Sequence, residues 1–372
     1  MPTMTIDLVA LRDNARAVKQ LLNGARLCAM VKADAYGHGI CETAAALRDT
    51  ADCFGVAVAD EAFLLQDKSA AAGKGAGKDI LIVGPVEEYA AREAVRRDLN
   101  LTLANRENLD ILISAARAAG KRARVHIKVD TGMHRLGIGN IGEFQTVLRR
   151  AASSEYIRLE GVFTHYATSD TGGDYAEYQY GEFRRFLGIA REALGERAYG
   201  RLVKHGACSG AILRDVRYHM DMARAGLVLY GCFPSPDLAG KIHIRPAMRV
   251  TAGVAQLKRC AAGDKVGYGN AYACPRDCLL AAARIGYGDG YKRAFSGNGF
   301  AVVRGARCPI VGKVCMDLTM IDVTNVTNMG YNDPVTFLGD GVTADELAAR
   351  CGTIGYEILT AWHGTRVKRE YI

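Results

Sequence analysis

A lysine follows directly on the short apolar run Leu27–Val31, in Val31-Lys32-Ala33-Asp34-Ala35-Tyr36-Gly37-His38-Gly39. Lysine is an awkward residue for a buried position, and the glycines crowded behind it imply close backbone approach to another group. Two readings stand: a functional amine, or a lysine whose stem snorkels out along a rim. Other polar groups recur at the ends of later apolar runs. Lys128 and Arg135 lie in KVDTGMHRLG, where the planar fork of Arg135 suits a carboxylate or a phenolate. Lys128 could equally be an ordinary lysine paired with a nearby carboxylate. His165 closes a run in FTHYATSD, although lone histidines are often structural. In HGACSG, Ser209 opens a helical pattern, and Arg224 precedes Gly226 and Leu227. The hydroxyl and N–H of Ser209, with the backbone N–H groups of Gly226 and Leu227, are groups of the kind that hold a phosphate. Anion-binding groups beside a rim lysine point to a small anionic ligand.

These residues need a scaffold that brings run ends together. The apolar runs are Leu27–Val31, Phe54–Ala57, Ile80–Val83, Leu99–Leu103, Val125–Val129, Leu159–Phe163, Leu202–Lys204 and Leu227–Leu229. Each has the length of a buried parallel strand, and helical patterns alternate with them. A further amphipathic stretch, Asp7–Leu22, precedes the first run. Eight strands alternating with helices predict an α/β fold, a (β/α)8 TIM barrel, with a doubly wound open sheet as the alternative. In a barrel, the strand ends carrying these residues form the C-terminal mouth, and phosphate is commonly held after strands seven and eight. Beyond Pro246 the texture changes to glycine-rich, short β runs: Arg249–Leu257, Leu279–Ile285, Ala301–Val303, Pro309–Val314, Thr319–Val323 and Pro334–Phe337. Only Thr343–Cys351 reads as helical there. The chain therefore divides into a barrel over 1–240 and a C-terminal mostly-β domain over 241–372.

Of 372 residues, 49% are hydrophobic and 24% charged, enough for a large core in each unit. The net charge of +8 is scattered, without the basic stripe that nucleic-acid binding needs. No apolar stretch approaches the roughly twenty residues that cross a bilayer. The cysteine count, 11, is odd, and no secretory signal is seen, so reduced thiols in a cytoplasmic protein are expected. Cys274 and Cys278 have spacing that could begin a zinc site, but no matching second pair follows, so no metal is expected.

The motifs, taken in order, resemble those of the alanine racemase family over nearly the whole chain. VKADAYGHG looks like that family's cofactor-attachment signature. The resemblance implies pyridoxal 5′-phosphate (PLP) held as an imine on Lys32, whose amine burial and cationic neighbours would keep neutral. Tyr36, His165, Ser209, Arg224, Gly226 and Leu227 would hold the cofactor, with Arg224 facing the pyridine nitrogen. Arg135 would meet the substrate carboxylate, and Lys128 matches a lysine that is often carbamylated. In VGYGNAY, Tyr268 resembles a second catalytic base, donated by the other subunit of a homodimer. A free phenol titrates at about 10, so Tyr268 would need a cationic neighbour, Arg135 with His165 behind it. Tyr287 would line the entry channel, and Met316 and Asp317 would meet the substrate. The implied activity is interconversion of L- and D-alanine by two bases, supplying D-alanine for peptidoglycan. Racemisation of serine or of a broader amino-acid set is the alternative.

The sequence departs from the family pattern at two places. Cys208 replaces an asparagine before the phosphate serine. In YEILTAWHGTRV, Thr365 (or Gly364) stands where a phosphate-contacting tyrosine is expected. That change predicts a wider channel in which Thr365 or His363 could meet a substrate hydroxyl.

Overall fold

The computed structural model describes residues 1–71, 77–362, 364 and 366–372. His363 and Thr365 lie outside the described residues, so the expectations placed on them have no structural counterpart here.

The first strand, β1 (Thr3–Ile6), leads into the helix Leu8–Leu21, capped by Asp7, whose carboxylate accepts from the Ala10 N–H at 2.8 Å. Eight parallel strands follow: β2 (Arg26–Met30), β3 (Cys53–Val56), β4 (Asp79–Pro85), β5 (Asn100–Leu103), β6 (Ala123–Lys128), β7 (Ile157–Phe163), β8 (Val203–His205) and β9 (Met222–Ala225). They pair in the order β8-β7-β6-β5-β4-β3-β2-β9. The two ends of this ladder meet. Asp221 N–H donates to Lys204 O at 3.1 Å, and Arg224 N–H to Ala207 O at 2.9 Å. These bonds curl the sheet into the expected barrel. The helices between strands start where the sequence supplies short polar caps. Asn105 accepts from Asn108 N–H and Asn140 from Glu143 N–H, the usual way to satisfy free N–H groups at a helix start.

The eighth strand is not the run Leu227–Leu229. It is β9, and Leu227–Tyr230 forms a 3-10 turn that ends on Gly231 in the left-handed region. Apolar character alone does not separate a buried strand from a buried turn. Arg224 consequently sits within the barrel wall rather than ahead of it.

The remaining strands are β10 (Met248–Ala252), β11 (Val254–Cys260), β12 (Lys265–Val266), β13 (Tyr272–Ala273), β14 (Cys278–Ala283), β15 (Phe300–Val303), β16 (Ala306–Pro309), β17 (Thr319–Asp322), β18 (Val335–Leu338) and β19 (Lys368–Tyr371). A six-stranded sheet has the order β16-β15-β18-β10-β1-β19, and β11-β14-β17 form a second sheet. β1 lies antiparallel to β10 and parallel to β19. The first residues thus belong to a sheet of the mostly-β region and not to the barrel, where a boundary at 240 had placed them. Four residues, TMTI, are too few to declare their sheet by pattern. The predicted strand Pro309–Val314 is displaced to Ala306–Pro309, which pairs with β15. β12 and β13 form a hairpin whose connecting loop carries Tyr268.

Candidate active site

The C-terminal ends of the barrel strands surround a cavity of about 540 Å³. Lys32, Tyr36, Lys128, Arg135, His165, Ser209, Arg224, Gly226 and Leu227 all line it. The barrel therefore assembles every expected cofactor residue from distant parts of the sequence.

Lys32 is half-buried, at the start of a strained turn. Ala33, Asp34, Ala35 and Tyr36 have φ between 51° and 54°. Each non-glycine residue in this left-handed region costs about 1–2 kcal/mol. Clamps from several elements offset that cost. Glu61 accepts from Ala33 N–H at 2.6 Å and from Ala57 N–H at 2.8 Å. Asp34 accepts from Ile40 N–H at 2.8 Å and pairs with Arg369 at 2.7 Å. Strain held this firmly is typical of functional turns. Burial, then the charge of Arg135, lowers the Lys32 pKa from its ordinary value, with Arg224 adding to the effect and Glu61 opposing it. A neutral amine is the form that can act as a nucleophile.

One end of the cavity is a knot of hydroxyl and backbone groups. Gly226 N–H donates to Ser209 Oγ at 3.0 Å. A Cβ at Gly226 would lie 2.5 Å from the Tyr36 hydroxyl, so only glycine leaves room for that phenol. Tyr356 also lines the cavity, its ring centroid 6.0 Å from that of Tyr36. Sequence reasoning missed Tyr356 and looked for a tyrosine near Thr365 instead. The phenol is present, nine residues earlier, at the start of the short helix Gly355–Thr360. The buried hydroxyl of Tyr166, another lining residue, has no hydrogen-bond partner among the described residues.

At the barrel wall Arg224 is buried and paired with no carboxylate among the described residues. Its guanidinium donates to Thr164 O at 2.7 Å, to Gly206 O at 3.1 Å and to His205 Nδ1 at 2.7 Å. His165 Nδ1 lies 3.2 Å away. Burial, then the Arg224 charge, pushes His165 and His205 well below the ordinary histidine range, so both rings are neutral. Leaving a cation among neutral groups is costly, and such sites are candidates for function.

Lys128 is buried over the Phe163 ring, its ammonium nitrogen 4.6 Å from the centroid. Burial, then the charges of Arg224 and Arg135, lowers its pKa to about 7, with Asp130 opposing. This has a consequence for stability. Between pH 7 and 10.5 the unfolded chain holds a proton on this amine that the folded chain does not, so Lys128 makes stability rise with pH across that window. Thermal unfolding of Lys128→Met should show a flatter rise over the window than the parent chain. Lys32, shifted the same way, should leave part of the slope. An unchanged slope would contradict a depressed Lys128.

The other predicted residues lie elsewhere. Tyr268, Met316 and Asp317 line a separate opening of about 390 Å³ with Gly267, Cys315 and Leu318. Tyr287 joins that patch through its N–H, which donates to Cys315 O at 3.0 Å. Asp317 is paired with Arg366 at 2.7 Å, and Arg366 also meets the buried Asp289. Tyr268 is 70% exposed. This opening and the barrel cavity share no lining residue, so Tyr268 and Lys32 line different openings of one chain. Cys274 and Cys278 are unpaired, and no group of metal-ligating side chains among the described residues is arranged to hold a metal ion.

Two family models match in order: alanine racemase, N-terminal domain, over residues 6–234, and alanine racemase, C-terminal domain, over residues 247–371. The chain belongs to the alanine racemase family. It is 40% identical over 371 residues to the alanine racemase of Desulfovibrio desulfuricans, covering 99% of this chain and 97% of that one. The alanine racemase of Desulfosudis oleivorans is 39% identical over 383 residues, with 98% and 95% covered. Among solved structures, alanine racemase from Streptomyces coelicolor A3(2) superposes with a TM-score of 0.91 at 33% identity, covering 100% of this chain and 98% of that one. Alanine racemase of Clostridium difficile 630 gives 0.91 at 31% identity, with 100% and 95% covered. The resemblance read from a few motifs therefore extends to both domains and to the whole fold.

Proposed function

We propose that the chain is a PLP-dependent racemase that interconverts L- and D-alanine at a site completed by a second copy of itself. The observation that carries this reading is the placement in one cavity of Lys32, of Arg224 with no carboxylate partner among the described residues, and of the Ser209–Gly226–Tyr36 knot. The cavity fits the cofactor. Gly226 keeps a cradle that a Cβ would fill, and Tyr166 offers an unused buried hydroxyl. Ser209, Gly226, Leu227, Tyr36 and Tyr356 would hold the phosphate, and His165 would flank the ring. When bound, PLP supplies an aldehyde that condenses with amines and a ring that draws electrons from the carbon bearing the substrate's α-hydrogen.

The chain's own residues then divide the work. Lys32 carries the cofactor and, as a free amine, moves a proton on one face of the substrate carbon. Tyr268 of a second copy serves the opposite face, since a single base tends to return a proton to its original side. Arg135 meets the substrate carboxylate and the Tyr268 phenolate, Met316 N–H and Asp317 border the carboxylate, and Tyr287 lines the entrance. Arg224 can only donate hydrogen bonds, so facing the pyridine nitrogen it would keep that atom an acceptor and the ring a weak electron sink, which would suit quick return of the proton, racemisation over transamination. Lys128, with a substantial neutral fraction at physiological pH, is set up to add CO₂, and the resulting carbamate would orient Arg135. No helix among the described residues is long and apolar enough to cross a membrane. The unpaired thiols favour a reducing compartment. The family match supports a cytoplasmic enzyme that supplies D-alanine for peptidoglycan.

A chiral-product assay across an amino-acid panel, with and without PLP, tests the function. The expected result is conversion of either alanine enantiomer to an equal mixture, dependent on PLP. No α-hydrogen exchange with any amino acid would contradict the proposal, and faster turnover of serine would contradict alanine as the substrate. Tyr36→Phe should retain turnover at saturating cofactor but lose PLP on dialysis. A hydrogen bond to a charged group is worth roughly 1.5–3 kcal/mol, so retention should weaken by about 10- to 100-fold. Equal retention would remove Tyr36 from the phosphate.

A further inference from the structure

Below the cavity a chain of imidazoles runs down the barrel from Arg224. The guanidinium donates to His205 Nδ1 at 2.7 Å, and His205 Nε2 lies 3.0 Å from His126 Nδ1. His205 is stacked on Phe163 with centroids 4.8 Å apart. Because a guanidinium has no acceptor, His205 Nδ1 must be the acceptor, and the proton of the neutral ring sits on Nε2. That proton is donated to His126 Nδ1, which leaves the proton of His126 on Nε2. The chain has one direction, set at the arginine.

The barrel is adapted to hold the second ring. Between Val125 and His126 the pairing with β7 shifts register, from Leu159 to Gly161, so that Glu160 is passed over. A Cβ at position 161 would lie 2.4 Å from His126 Nδ1, and glycine there makes room for the imidazole. The groups facing His126 are Arg26, Arg124 and Arg224, with Asp79 opposing them. Burial, then these arginines, lowers the His126 pKa to about 3. Beyond the ring is a small cavity of about 40 Å³ bordered by Asp79, Asn100, Arg124 and Glu160. It has room for a water that could take the Nε2 proton.

We propose that His126 is a positioning residue for the racemase reaction: by accepting from His205 it locks the tautomer that receives Arg224, and so fixes the guanidinium toward the cofactor ring. This rests on the reading that Arg224 faces the pyridine nitrogen. Without an acceptor at position 126, His205 is free to move its proton to Nδ1. The arginine would then meet a donor, and its guanidinium would turn.

The test uses the PLP-loaded enzyme with nitrogen-labelled cofactor. His126→Leu should keep PLP, shift the pyridine nitrogen resonance, and lower kcat by about tenfold with little change in KM, the scale of one lost hydrogen bond. His126→Gln, which can still accept from His205, should restore most of both. A folded Leu variant that binds PLP with resonance and kcat unmoved would overturn the role of His126, as would equal losses in the Leu and Gln variants. Failure of the parent chain to bind PLP would overturn the function itself. A readout independent of any variant is the tautomeric state of the two imidazoles in the parent protein. Neutral Nε2–H rings at neutral pH are expected for both, and an Nδ1–H form of His205 or a charged His126 would overturn the proposal.

Discussion

Replacing Lys32 by alanine should lower racemisation by at least about 10³-fold, because on the proposed reading the change removes both the covalent anchor and one of the two proton carriers. No other amine among the described residues matches its placement. Lys128 shares the cavity but lies over the Phe163 ring in the wall, at the end of β6. Lys32 instead opens a turn held in the left-handed region by Glu61 and Asp34. Borohydride reduction of the PLP-loaded parent should leave the cofactor on the peptide containing Lys32, and the variant should retain no covalent label. A label on Lys128, or substantial activity in Lys32→Ala, would reassign the anchor.

Tyr268→Phe should be nearly as damaging, but unevenly. General acid–base residues contribute roughly 10²–10⁴-fold, and the loss should fall mainly on proton removal from the L-enantiomer. PLP binding should survive, since Tyr268 lines none of the barrel cavity. Rates of α-hydrogen exchange measured separately for L- and D-alanine resolve the two directions. Equal small effects on both would reduce Tyr268 to a wall of the entrance.

The barrel was legible because seven of its strands are apolar runs of ordinary length whose ends carry the polar residues. The eighth was misplaced because LVLY is as apolar as a strand, whereas Met222–Ala225 includes the buried Arg224. A functional residue inside a strand disguises that strand. β1 and β19 were missed for a different reason: they are four residues each, at opposite ends of the chain, and are strands through distant pairing, β1 with both β10 and β19. Among the site residues, Lys32 was visible at a run end, and Arg135, Ser209 and Arg224 in the polar stretches beside the runs. Tyr356 was not, because its helix belongs to the mostly-β region and reaches the barrel mouth only through tertiary packing. Glu61 and His126 were equally silent. A carboxylate that accepts two backbone N–H groups, or a histidine that accepts from another histidine, has no spacing to announce it. The separation of Tyr268 from Lys32 is the feature of the site that a single chain leaves open, and a second copy is the proposed answer.

That separation makes subunit mixing the most direct test of a shared site. Lys32→Ala and Tyr268→Phe chains should each be nearly inactive alone. A mixed dimer has one ruined site and one site built from an intact Lys32 and an intact Tyr268. With equal amounts and free exchange, half the dimers are mixed, so about a quarter of parental activity should return. Recovery at that level, tracking the fraction of mixed dimers, is the predicted result. No recovery, with subunit exchange demonstrated by mass, would show that Lys32 and Tyr268 do not meet across two chains and would contradict the account.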